Sequence, residues 1–397
     1  MHSDGFVSQN AQGRVGASTN PFYFHTHQKN MHRFYIFVAA TAMAFLSLAC
    51  NPNRETRQSK AVYGHQIVSE DSLIFRATDS IFISRTAQIA SWNNKILISD
   101  FYQKRVWVFD KSFILTRSIG QKGKGPGEFI NFPGIVASKD RLWLIDEGNY
   151  RVTAFDSLYR LISIHKLPAG YSLDRFPIYI KGKFVFDGHR THLMHEPSDF
   201  KKYKPITILD TAFNVISEFW EWRSEYFSEE LATKTFAQSN PHVLLARGAG
   251  ESFFALQKAS FWITHFDNDL REIREFGIKP RFFKEPPSIP YEQTAYSPEM
   301  ISNYAGKTTM FLSLACDTTS GYVYLNYVNL HNDVFFQRTM LAGEHYIQVY
   351  DKNYDCILDE QIPGKLAFVE KNMIFVLAEE KPELIKLKTF TIMSNKE

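Results

Sequence analysis

Two stretches of this chain repeat one another at an offset of 46 residues. Lys95-Ile-Leu-Ile-Ser-Asp-Phe-Tyr-Gln-Lys-Arg-Val-Trp-Val-Phe-Asp110 lies over Arg141-Leu-Trp-Leu-Ile-Asp-Glu-Gly-Asn-Tyr-Arg-Val-Thr-Ala-Phe-Asp156. Asp100 then matches Asp146, Arg105 matches Arg151, and Phe109-Asp110 matches Phe155-Asp156. Weaker copies of the closing apolar-Asp pair follow at Leu209-Asp210, Phe266-Asp267 and Tyr350-Asp351, and a last apolar pair lies at Met373–Leu377 and Leu384–Phe390. A repeat constrains the fold more than any composition does, because one unit cannot bury its apolar face alone and must stack on its neighbours.

Each unit holds two apolar runs of strand length joined by a polar turn, rich in the aromatic and β-branched residues that strands prefer. The runs are apolar on both faces, as strands are when both faces of their sheet are covered. Short strands repeating at this period predict a β-propeller, an all-β fold of four-stranded antiparallel blades. The Asp that closes each unit stands where strand gives way to turn, where its carboxylate can accept nearby backbone N–H groups. The recurring Asp100/Arg105 and Asp146/Arg151 pairs read as structural, stabilising a turn in each blade as surface ion pairs would, by about 0–1 kcal/mol.

Between the first two units runs Ile119-Gly-Gln-Lys-Gly-Lys-Gly-Pro-Gly-Glu-Phe129, then Pro133. With Asn149, Arg151 and Asp156 downstream, this stretch resembles the NHL repeat over residues 95–160. Residues 45–50, Phe45-Leu-Ser-Leu-Ala-Cys50, resemble the lipobox of bacterial lipoproteins. Together the two features look like the family of bacterial six-bladed β-propeller lipoproteins, related to NHL-repeat and TolB-like propellers. The resemblance implies blades near 85–130, 131–176, 177–236, 237–295 and 296–364. The sixth would combine 365–393 with strands from 61–84, so that both ends of the chain share one sheet and no edge stays open. Helical insertions are expected at 224–238, which opens with Ser224 and early glutamates, and at 297–306, with an N-cap Ser297, Pro298 and a terminal Gly306.

The amino-terminal part reads as export machinery. Residues 34–49 carry no charge, follow Arg33 and end in small residues, the pattern of a secretory signal rather than a spanning helix, which needs about 20 residues. The lipobox resemblance implies cleavage before Cys50 and lipid attachment to its thiol. Residues 1–30 are polar and aperiodic, so Met31 is a plausible start; 31–49 is then the signal, 50–60 a polar tether and 61–397 the propeller. This predicts a lipid-anchored protein of the cell envelope, facing the periplasm, and a monomer. The same six letters recur at Phe311-Leu-Ser-Leu-Ala-Cys316 without a charged start, and there they read as a strand. Cys316 and Cys356 could bridge in an oxidising compartment, or stay buried thiols.

Lys plus Arg is 45 and Asp plus Glu is 42, and the leader carries away three cations, so nothing points to nucleic acid. The glycines of 120–127 are not followed by Lys-Ser/Thr or by a helix pattern, so they read as a tight crossover and not a phosphate cradle. His189-Arg-Thr-His192-Leu-Met-His195-Glu196 is the densest set of metal-ligand types, suited to zinc or a similar ion if a loop gathers them. In a four-stranded blade the crossover and the loop between the second and third strands share one face. That face should collect 100–105, 120–128 with Lys122 and Lys124, 146–151, 187–200 and the long segment 326–345. Tyr327, His331, Asp333 and Arg338 are therefore candidate ligand contacts, because long loops on rigid scaffolds often carry function.

No Gly-x-Ser-x-Gly, His-Glu-x-x-His or Cys-x-x-Cys motif occurs. Regular structural signatures without a catalytic one predict a binding or scaffold module for an envelope protein, peptide or glycan, requiring no cofactor. The alternative is an envelope hydrolase or lyase using a divalent metal. Catalytic residues cannot be assigned from spacing, because a propeller brings distant blades together.

Overall fold

A computed structural model describes residues 59–78, 81–174, 176–190, 204–223, 242–258, 260–285, 306, 308–330, 341, 343–381 and 383–395. Five blades follow in chain order. Blade one is β2 (Thr86–Trp92), β3 (Lys95–Asp100), β4 (Arg105–Phe109) and β5 (Leu115–Ile119), and blade two is β6 (Gly134–Ala137), β7 (Arg141–Asp146), β8 (Arg151–Asp156) and β9 (Leu161–Lys166). In blade three, β10 (Tyr171–Leu173) and β11 (Ile178–Ile180) both pair with β12 (Lys183–Arg190), followed by β13 (Ile206–Leu209) and β14 (Val215–Phe219). Blade four is β15 (Val243–Arg247), β16 (Phe253–Gln257), β17 (Ile263–Phe266) and β18 (Glu272–Phe276). Blade five is β19 (Thr309–Cys316), β20 (Val323–Leu330), β21 (Gly343–Tyr350) and β22 (Cys356–Ile362). The sixth blade is closed by the other end of the chain: β1 (His65–Arg76) pairs antiparallel with β25 (Leu384–Ser394), outside β24 (Met373–Lys381) and β23 (Lys365–Glu370). The blades follow their expected spans except that blade three takes its strand β10 from residues expected to belong to blade two.

The ring is closed at its centre. The innermost strands touch in the cycle β2, β6, β11, β15, β19, β23 and back to β2. In blades one to five the second and third strands are largely buried on both faces; β20 is buried along its whole length, whereas the outer strand β9 is mostly exposed. Six large apolar clusters lie at the six junctions between neighbouring blades, so each sheet packs on both sides rather than around one central core. The repeated lipobox-like letters at 311–316 belong to β19, and Cys316 and Cys356 are free thiols pushed up to about 12 by burial.

The closing Asp of each unit builds the same turn five times. Asp110, Asp156, Asp210, Asp267 and Asp351 each accept the backbone N–H groups two and four residues on, at 2.8–2.9 Å. The residue three positions on takes a positive φ: Phe113, Tyr159, Phe213, Leu270 and Tyr354, at 62–67°. That conformation costs a bulky residue roughly 1–2 kcal/mol. Burial offsets the cost, because each of these side chains reaches back to the preceding blade. Tyr159 meets Trp92 edge-on with ring centroids 5.4 Å apart, Phe213 meets His165 at 5.3 Å, and Tyr354 meets His265 at 5.9 Å.

Asp100 and Asp146 differ from the surface ion pairs expected of them. Both are fully buried and act as acceptors for backbone. Asp146 takes N–H groups of Ile130, Asn131, Gly148 and Asn149 at 3.1–3.4 Å, and Asn149 Nδ2 at 2.6 Å. Asp100 takes those of Ser84, Tyr102 and Gln103, with Trp107 Nε1 at 3.2 Å. Each thereby ties the crossover entering its blade to the loop after its second strand. Arg151 faces carbonyls instead of an acid, donating to Lys124 O and Gly125 O at 2.9 and 2.6 Å and to Glu128 O. Asn149 donates to Gly123 O at 3.1 Å, so the glycine-rich crossover is clamped from blade two. Gly120, at φ +82°, has no room for a side chain: a Cβ would lie 2.2 Å from the Phe129 ring.

Candidate functional site

A cavity of about 640 Å³ opens on the face where crossovers and second-to-third-strand loops gather, between blades one, two and three and the entry to blade four. Part of the lining is aromatic. Phe101, from the β3–β4 loop, lies 4.9 Å from Phe132 of the crossover, which stacks at 6.4 Å on the exposed Phe176. Another part of the lining is ionisable: Asp174 follows β10, Asp187 lies in the buried run of β12, and His242 precedes β15. Glu147 and Lys104 also line the space. The cations of Arg85 and Lys104 lie 5.1 and 4.9 Å from the Phe101 ring centroid.

The polar wall is assembled by backbone. Asp174 N donates to Asp187 O at 2.7 Å, and Leu173 pairs with Gly188. A Cβ on Gly188 would lie 2.6 and 2.7 Å from Leu173 Cδ2 and Ser172 O, so only glycine lets β10 approach β12 this closely. Asp187 is 5% exposed, and its Oδ2 lies 2.9 Å from His242 Nδ1. Asp174 Oδ2 stands 3.9 Å from the same nitrogen. Burial raises the Asp187 pKa above the usual carboxylate value; the His242 hydrogen bond opposes this and the nearby Asp174 charge adds to it. These three side chains, whose ligand atoms all lie within 4.8 Å of one another, form a set able to hold a metal or to move a proton.

The strand register shows why this acid stands apart from the repeat. Ile96 pairs with Phe109, Leu142 with Phe155 and Phe184 with Leu209, which aligns Asp100 and Asp146 with Gly188. Asp187 therefore occupies the position of Ser99 and Ile145. One residue along a strand reverses the face. In blade three the carboxylate has left the crossover anchor and faces the cavity.

A family model of six-bladed β-propellers, DUF5128, matches residues 72–362. The chain belongs to this family. No curated protein sequence matches it. Among solved structures it is similar to a member of the DUF4221 family from Bacteroides vulgatus, with a TM-score of 0.60 and 11% identity over 83% of this chain and 99% of that one. It is also similar to a candidate exported protein from Bacteroides fragilis, with a TM-score of 0.55 and 15% identity over 85% and 98% of the two chains. At these identities the likeness concerns the fold.

The predicted site residues are dispersed. Lys122 and Lys124 are exposed on the clamped crossover and do not line the cavity. Tyr327 is fully buried in β20, and its hydroxyl donates to Asp359 Oδ1 at 2.6 Å, which makes it part of the blade-five interior rather than a surface contact. Gln348 Nε2 and Arg281 N donate to the other oxygen of that carboxylate at 2.9 and 2.7 Å. The backbone of His189 belongs to β12, paired with Ser172, while its side chain lies outside the described residues. His192, His195, Glu196, His331, Asp333, Arg338, Cys50 and both expected helical insertions, except Gly306, lie outside them as well. Asp174, Asp187 and His242 carry no motif in sequence, because they join three segments only through the sheet. The available signal was the early acid in Phe186-Asp187-Gly188, out of step with Ile145-Asp146 and Ser99-Asp100.

Proposed function

We propose that this propeller is a cell-envelope binding module whose cavity takes a small polar ligand with one apolar face, a glycan segment fitting best. The observation that carries this reading is that one cavity is lined both by aromatic rings, Phe101, Phe132 and Phe176, and by ionisable groups, Asp174, Asp187 and His242. A sugar ring offers C–H groups to an aromatic surface and hydroxyls to carboxylates at the same time. Pockets that combine apolar lining with a few convergent polar groups are the usual small-molecule sites. Under this reading Cys50 carries the lipid and 51–60 is the tether that holds the module at the membrane, facing the periplasm.

The test is a screen of envelope oligosaccharides against the purified full chain, followed by titration calorimetry with a binder. Phe132→Ala and Phe176→Ala should each weaken binding by roughly 2–10-fold, the worth of an aromatic contact of ~0.5–1.5 kcal/mol. Unchanged affinity in both variants would remove the cavity from the reading. For the anchor, Cys50→Ala should abolish the acyl mass and release the protein from the membrane fraction.

One observation favours a second reading, an envelope hydrolase or lyase. The buried Asp187 orients His242, and an imidazole so held can exchange a proton with a ligand in the cavity. If so, Asp187→Asn would retain binding while losing turnover of the bound glycan.

A further inference from the structure

We propose that Asp174, Asp187 and His242 form a divalent-cation site in this cavity, with the ligand chemistry of Zn²⁺ or Mn²⁺. The inference deepens the ligand-binding reading and uses the same cavity, but it stands on different side chains. Two carboxylates and an imidazole make a hard-to-borderline donor set of the kind these ions take. Around a tetrahedral ion with bonds of about 2.0–2.2 Å, neighbouring ligand atoms lie ~3.4 Å apart. His242 Nδ1 stands 2.9 Å from Asp187 Oδ2 and 3.9 Å from Asp174 Oδ2, on either side of that spacing. With all three ligand atoms within 4.8 Å of one another, side-chain rotations would bring them to that spacing.

Two features separate this trio from an ordinary ion pair. The first is charge. Among the described residues no lysine or arginine forms an ion pair with Asp174 or Asp187, although Asp187 is 5% exposed. A buried carboxylate wants a compensating charge, and a second carboxylate converging on the same imidazole increases the need. A dication satisfies both acids, whereas the imidazole alone offers at most one charge. The second is placement. Ser99 and Ile145 fill the Asp187 position in blades one and two, so the blade scaffold does not require an acid there. The acid appears where the cavity is, and His242 and Asp174 reach it from separate segments that line the same space. An ion held by three protein ligands keeps further positions open to the cavity, where hydroxyls of a bound ligand could complete its coordination.

The experiment is calorimetry of the full chain, purified without a polyhistidine tag and stripped with chelator, titrated with Zn²⁺ or Mn²⁺ chloride alone. A parallel titration with Co²⁺ is read by visible absorption. One equivalent should bind. Asp174→Asn and His242→Ala should each weaken binding at least 10-fold, and His242→Ala should also change the Co²⁺ spectrum. Both residues are partly exposed, so these variants report even if Asp187→Asn does not fold. A triple His189→Ala, His192→Ala, His195→Ala variant should bind as the wild type does. No saturable binding, binding unaffected by Asp174→Asn and His242→Ala, or binding lost only in the triple variant would overturn the proposal. Because no glycan is present, a failure here is separable from a failure of the Phe132 and Phe176 variants to affect glycan affinity.

Discussion

Replacing Asp146 with alanine tests whether the repeated acids hold the blades together and, through them, the cavity. The carboxylate accepts four backbone N–H groups and one side-chain amide, from both the crossover and the β7–β8 loop. Hydrogen bonds to a charged group contribute about 1.5–3 kcal/mol each, and a donor left dry costs about 1–3 kcal/mol. The donating residues are half-buried, so water can re-satisfy some of them. With about two donors left unsatisfied, the net loss is ~3–5 kcal/mol. For a folded unit spanning residues 56–397, an unfolding entropy near 2.1 cal/mol/K per residue converts this to a fall in Tm of roughly 4–7 °C. Asp156→Ala is the comparator, because that acid caps a turn in which its arginine partner is largely exposed. It should lower Tm by clearly less than Asp146→Ala does. Thermal and urea unfolding of both variants, followed by circular dichroism, would read the difference. Asn131, Phe132 and Glu147 adjoin the anchor and line the cavity, so Asp146→Ala should also weaken ligand binding while Asp156→Ala should not. Equal losses of stability in the two variants, or a loss below ~1 °C for Asp146→Ala, would refute the reasoning that this acid is a buried anchor.

Three further outcomes follow from named contacts. His265 is stacked at 4.2 Å on Phe254 and is held by burial near a pKa of about 4, below its ordinary 6.5. The unfolded chain therefore binds more protons between these values, so stability is present above pH 6.5 and declines as pH falls toward 4. The partly exposed ring limits the effect to about 1–2 kcal/mol, and His265→Gln should flatten the acid limb of a urea-midpoint profile; parallel profiles would refute it. Tyr327→Phe should destabilise by about 1–2 kcal/mol, because Asp359 keeps only Gln348 and the Arg281 N–H, and should leave glycan affinity unchanged; loss of affinity at full stability would return Tyr327 to the ligand surface. Gly188→Ala should separate β10 from β12 and weaken ligand and metal binding together, whereas full retention of both would show that the Leu173 contact does not position Asp174.

The fold was legible because its signature is local and repeated. Each closing Asp lies beside the N–H groups it caps, so its role needs no tertiary knowledge. Even so, half of that motif was missed: the apolar residue three positions later stands in plain sequence at Phe113, Tyr159, Phe213, Leu270 and Tyr354, and only the packing between blades gives it meaning. The same limit applied to Asp100 and Asp146. Their recurrence identified them as structural, but the arginines five residues on suggested ion pairs, whereas the partners are backbone groups of the following loop and others 15 and 16 residues away on an irregular crossover. The candidate site is the extreme case. Its ligands come from the interior of β12, the residue after a short extra strand and the entry to the next blade, three places that no spacing rule connects. What the sequence does record is a departure from its own period: blade three places an acid one residue early and a glycine where the anchor should be. The acid changes sheet face, and the glycine admits the extra strand β10 that brings Asp174 to it. In a repeat protein the positions that keep the period build the scaffold. A coordinated break in the period, where lost anchor and gained cavity group are adjacent residues, is the sequence mark by which such a site could be sought in other propellers of this family.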